Sequence, residues 1–212
     1  MVEKFRKHVV FVTFLLVIFV FFGGFLLGRS ISGAAVQEVT EFIKENELNT
    51  ESYLIEQDLI DEFGKDSCEL ASMRITQLSD ELAAIGRRLE KPDAAEQLGD
   101  ENFDFLKRKF HLMQIKTYTM FKKLIDNCDL PTKVILYYYS IDDEECEEQG
   151  HILDEIVKKH DAKVFAIEYG YADELSFLET YYGVEDVPTL IINYDIKKEG
   201  LTDYDEVEES LK

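Results

Sequence analysis

Positive charge is what this sequence has least of for its size. Lysine and arginine supply 23 side chains against 44 aspartates and glutamates, a formal net charge of −21 over 212 residues. So acidic a surface repels phosphate backbones, which excludes nucleic acid as a partner class, and it repels anionic lipid headgroups as well. Cysteine is also scarce. Cys68, Cys128 and Cys146 lie far apart, and His8, His111, His151 and His160 complete no zinc-ligand spacing, so neither a metal nor another cofactor is expected. Disorder is excluded by the 46% of residues that are hydrophobic, more than a chain without a core carries.

Long apolar runs are missing but for one. Val9 to Gly28 is apolar except for Thr13, and at helical rise it reaches about 30 Å, the thickness of a bilayer's hydrocarbon core. Lys4, Arg6 and Lys7 precede the run and Arg29 alone follows it before acidic residues begin. The positive-inside rule then puts the N-terminus in the cytoplasm and the rest of the chain on the extracytoplasmic side. Residues 1–29 are therefore expected to be a cytoplasmic N-terminus and a single-pass membrane anchor. A cleaved signal peptide is the alternative, because Ser32-Gly33-Ala34 offers small residues at a cleavage spacing, although the apolar run exceeds a usual signal core.

Residues 30–67 read as a helical stalk of one or two short amphipathic helices, broken at Asn49-Thr50-Glu51-Ser52. Residues 68–130 are more regular. Ala71, Ile75, Leu78, Leu82, Ile85 and Leu89 alternate spacings of four and three, and Leu106, Phe110, Met113, Thr117, Met120 and Leu124 repeat them after a loop around Lys91-Pro92-Asp93. Two such helices joined by a short loop predict an antiparallel coiled-coil hairpin; the alternatives are that the stripes are core of one globular unit, with the hairpin packed on the domain that follows, or that they pair between chains. Antiparallel folding brings Cys68, at the start of the first helix, near Cys128, at the end of the second. That is about one interaxial distance of 8–10 Å, which local geometry can close to a disulfide. Two free thiols remain the alternative.

From residue 131 the pattern changes to strand 133–139, helix 144–160, strand 163–168, helix 173–182, strand 189–194, a short strand near 196–201 and a helix over 203–211, the order βαβαββα. Two segments stand out. Lys133-Val-Ile-Leu-Tyr-Tyr-Tyr-Ser-Ile-Asp-Asp-Glu-Glu-Cys146 is a buried-strand run that breaks into an acidic helix start. Tyr181-Tyr-Gly-Val-Glu-Asp-Val-Pro-Thr-Leu-Ile-Ile-Asn193 ends a helix and enters another strand through a proline. Together they resemble the thioredoxin-like superfamily over roughly the last eighty residues. The resemblance implies an α/β thioredoxin-like domain at 131–212, a Cys-x-x-Cys motif opening the helix, and a cis-proline facing it, here Pro188.

Cys146 stands where the second cysteine of that motif belongs, and Asp143 stands in place of the first. Disulfide exchange needs an attacking thiolate and a resolving thiol; Asp143 has no sulfur, so no dithiol couple forms here. Cys146 remains the candidate catalytic residue for single-thiol chemistry. The helix N-terminus favours its thiolate, while Asp142, Asp143, Glu144, Glu145, Glu147 and Glu148 oppose it. A Cys146–His151 pair fails because five helical positions turn the side chains apart, and Asp143 is a natural helix N-cap. The resemblance further implies that the backbone before Pro188 pairs with an extended peptide, so Asp143, Val187 and Pro188 are the expected peptide-binding residues. The sequence thus points to a binding or scaffolding protein for a protein partner or client peptide. The alternative is a thiol–disulfide oxidoreductase acting through Cys146 or with a partner's thiol.

Overall fold

The computed structural model describes residues 13–22, 37, 40, 41, 43, 44, 47, 48, 51, 52, 55, 68–89, 91 and 93–212. Its centre is the strand β1, Lys133–Tyr139, whose seven residues are β-branched, aromatic or long apolar after the first. Both its faces are buried. Val134, Leu136 and Tyr138 join one core, and Ile135 and Tyr137 join another, as the period of two requires. β2 (Ala162–Glu168) pairs parallel to β1, β3 (Thr189–Ile192) antiparallel to it, and β4 (Ile196–Glu199) antiparallel to β3, giving the order β2-β1-β3-β4.

Helices cover both faces. The hairpin of α1 (Cys68–Leu89) and α3 (Asp100–Cys128) lies on the first, its tip bridged by the short α2 (Ala94–Leu98). α4 (Glu144–Lys159) and α6 (Tyr204–Ser210) cover the second, and α5 (Ser176–Tyr182) returns to the first. Every residue of the two predicted heptad stripes is buried. The stripes nevertheless serve two cores. Leu78 to Leu89 pack with Leu98 to Met113 and Ile43 at the tip, whereas Ala71, Ile75 and Ile115 to Leu124 pack directly on the sheet. Cys68 and Cys128 close a disulfide with 5.7 Å between their Cα atoms. The hairpin and the sheet therefore share a core across residue 130.

Two expectations are corrected here. The single-pass transmembrane helix over 9–28 is not supported, because no helix among the described residues is long and apolar enough to cross a membrane. The helical residues described there are 13–22, about 15 Å of rise and half of what a bilayer core requires; the rest of the run lies outside the described residues. The membrane localisation, with a cytoplasmic N-terminus and an extracytoplasmic domain, loses its support with it. The expected fold class, a thioredoxin-like domain behind a transmembrane helix, is replaced by what the described elements show, a mixed α/β fold with a four-stranded sheet. Element order along a chain does not by itself assign a superfamily.

Candidate functional site

β1 ends at Tyr139, and the turn 140–143 delivers the chain to α4. Asp143, in extended backbone, caps that helix: its carboxylate Oδ1 accepts the Cys146 N–H at 2.8 Å. An N-cap acceptor satisfies one of the donors a helix leaves open, which is why an acid suits this position. Cys146 is 3% exposed. Its Sγ accepts the N–H of Ser140 at 3.4 Å, and its carbonyl accepts the Tyr137 hydroxyl at 2.6 Å. Burial pushes the thiol above its ordinary value, and the Asp143 carboxylate pushes it further, while the Ser140 N–H works the other way. The net direction is upward, so the sulfur is held as a thiol at neutral pH.

The second loop reaches the same end of the sheet. Gly183, with a left-handed φ of 60°, ends α5, and Val187–Pro188 is a cis peptide. Glycine has no Cβ to clash in that conformation, so it stops the helix without strain. Pro188 is buried and its carbonyl accepts the Gly200 N–H at 2.8 Å, tying the turn to the end of β4. The exposed Asp186 accepts the N–H of Val187 at 2.9 Å through Oδ1, and its carbonyl accepts the Thr189 hydroxyl at 2.7 Å. Thr189 lies opposite Tyr138 in the ladder. Pro188 therefore sits beside the end of β1 from which the Asp143 turn leaves. Asp143, Cys146, Val187 and Pro188 share one end of the sheet. Cys68 and Cys128 do not: Cys128 precedes the start of β1, about 20 Å of strand away from Cys146, and its sulfur is bonded to Cys68.

A groove of about 650 Å³ opens beside Cys146, and sequence reasoning missed it. Its floor is the α4 side of the sheet, with Tyr137 and Tyr139 of β1 and Val164 and Ala166 of β2. One wall is α4, including Gly150, His151 and Val157; the other is the hairpin tip, including Leu89, Ala95 and Phe103. Such a volume suits a ligand or a set of partner side chains. The walls come from stretches far apart in sequence, and the one local signal was a glycine inside a helix. His151 is exposed on the same wall that carries Cys146, while the thiol is engaged with Ser140. Among the described residues no group of three or more His, Cys, Asp or Glu could hold a metal ion.

No family model matches this chain, and no curated protein matches it. A solved structure titled "Structure of a malarial protein" is similar over 37% of this chain and 92% of its own, at 16% identity and a TM-score of 0.33. A likeness that low carries no argument. The comparisons thus supply no thioredoxin-like assignment, and the fold stands as the mixed α/β arrangement described above.

Proposed function

We propose that this chain is a binding protein and not an exchange catalyst, with the Asp143–Cys146 turn and the Val187–Pro188 edge receiving an extended segment of a protein partner. The observation that carries the reading is Cys146: a buried thiol, raised above its ordinary pKa, with Asp143 in place of a second sulfur. Attack on a disulfide needs an accessible thiolate, and release of the mixed disulfide needs a second thiol. Strand addition needs neither. It uses main-chain groups, and Val187, in the loop before β3, offers its N–H once the exposed Asp186 side chain swings away. Exposed Asp142, Glu144, Glu185 and Asp186 flank the edge, so a segment carrying lysine or arginine suits it.

Two measurements test the reading. The chain should not accelerate dithiothreitol-driven reduction of insulin, and native Cys146 should alkylate far more slowly than in the unfolded chain. Acceleration that disappears in Cys146→Ser would overturn the reading and install the single-thiol oxidoreductase. Binding is read by hydrogen exchange at Val187 on adding an extended Lys-rich peptide of about ten residues. Protection of that amide supports strand addition, and an unchanged exchange rate at saturating peptide counts against it.

A further inference from the structure

Two described glycines lie in helix interiors, and the chain's own packing explains only the first. A Cβ at Gly86 of α1 would fall 2.9 Å from the Phe110 ring, so the close approach within the hairpin requires its absence. Gly150 of α4 has no such reason. Its φ is not left-handed, and a Cβ there would meet nothing within 4 Å. Glycine is the least favourable helix residue apart from proline, so its presence calls for a cause outside the helix. The open space is the groove.

The shape of the groove indicates what fits. Cys146, Gly150, Leu153 and Val157 put one face of α4 along it, a length of about 16 Å at helical rise, or roughly three turns. Helices cover a sheet side by side, and an apolar strand face is stable when such a helix lies over it. α4 and α6 cover this side of the sheet, yet Val164 and Ala166 of the edge strand β2 remain only partly buried. Val157 stands 44% exposed on the rim. Charge selects among helices. Glu147 and Asp154 are exposed on the α4 wall, whereas on the opposite wall Lys107 is already ion-paired with Glu168 and Lys91 adds one cation. A complementary occupant is cationic.

We propose that the groove docks an amphipathic α-helix of about three turns from a partner protein, its apolar face on Val164 and Ala166 and its lysine or arginine flank against Glu147 and Asp154. The glycine at 150 leaves room for that helix to approach α4 closely. The groove adjoins the other site at Cys146 but is not lined by Val187 or Pro188, so either reading can fail without the other.

The probe is a synthetic helix of about fourteen residues with leucine on one face and lysine on the other, titrated into the full chain by fluorescence anisotropy. A matched peptide with glutamate for lysine is the control. Saturable binding of the lysine peptide is expected, weakened at least about tenfold by Val157→Lys on the exposed rim. Gly150→Ala should raise the melting temperature while weakening binding, which separates loss of the site from loss of folding. Equal binding of the glutamate peptide, or binding unchanged in both variants, overturns the proposal. A concentration-dependent dimer of the chain alone that Val157→Lys abolishes also overturns it, in favour of a second copy on this face.

Discussion

Breaking the Cys68–Cys128 bond should cost this chain a large part of its stability. The bond joins residues 60 apart in sequence, and loop-closure entropy for a ring of that size corresponds to about 4 kcal/mol at 25 °C. Little native relaxation should offset it, since both cysteines pack against the buried cluster that joins the hairpin to the sheet. A domain's total stability is about 5–15 kcal/mol, so the loss is visible but survivable. The assay is urea unfolding of the oxidised chain and of Cys68→Ala/Cys128→Ala, with Cys146 retained in both. With a slope of about 2 kcal/mol per molar, the midpoint should fall by about 2 M. The fluorescence of the eleven tyrosines reports the folded state, there being no tryptophan. A midpoint shift below about 0.5 M would refute the reasoning, because it would mean that the unfolded chain already holds these ends together.

Asp143→Asn keeps a side-chain oxygen for the N-cap but removes the charge that helps to raise the Cys146 thiol. The melting temperature should change little and native alkylation of Cys146 should quicken; an unchanged rate would remove Asp143 from the account. His111, 1% exposed in the hairpin, is held down to about 3 by burial first and by the Lys107 charge second. Unfolded, the imidazole titrates near 6.5, so in between only the unfolded chain takes the proton. Stability should therefore be level in this group above about pH 6.5 and fall as pH drops from there towards 3. His111→Phe should flatten that slope, and a slope unaltered in the variant would refute it.

Period made much of the structure legible in advance. The strand Lys133–Tyr139 and the start of α4 fall where their apolar run and acidic cap place them, and both heptad stripes are buried throughout. Boundaries were legible where a particular residue ends an element and not elsewhere. β3 stops at Ile192, short of 194, because Asn193 and Tyr194 turn to positive φ. The loop after α1 hides a further short helix, Ala94–Leu98, because the buried Ala94 and Leu98 anchor it at the tip. What pattern alone does not reveal is where a helix face finds its cover. The stripe on α3 that reads as a self-contained seam is divided between the tip and the sheet. The groove was illegible for the same reason, since α4, β2 and the hairpin tip meet only in three dimensions. The membrane span was read from composition alone, and no helix among the described residues is long and apolar enough to cross a membrane.

The core that runs unbroken through residue 130 has a consequence for how such a chain can change over generations. A recombination event that carried 131–212 into another gene would deliver a sheet with Val134, Leu136, Tyr138, Phe165, Ile167 and Ile191 stripped of the cover that the hairpin gives them. The hairpin taken alone would lose the same surface from its other side. Neither half is a transferable module, so the two are constrained to be inherited together, and substitutions on one side of that seam restrict what the other side tolerates.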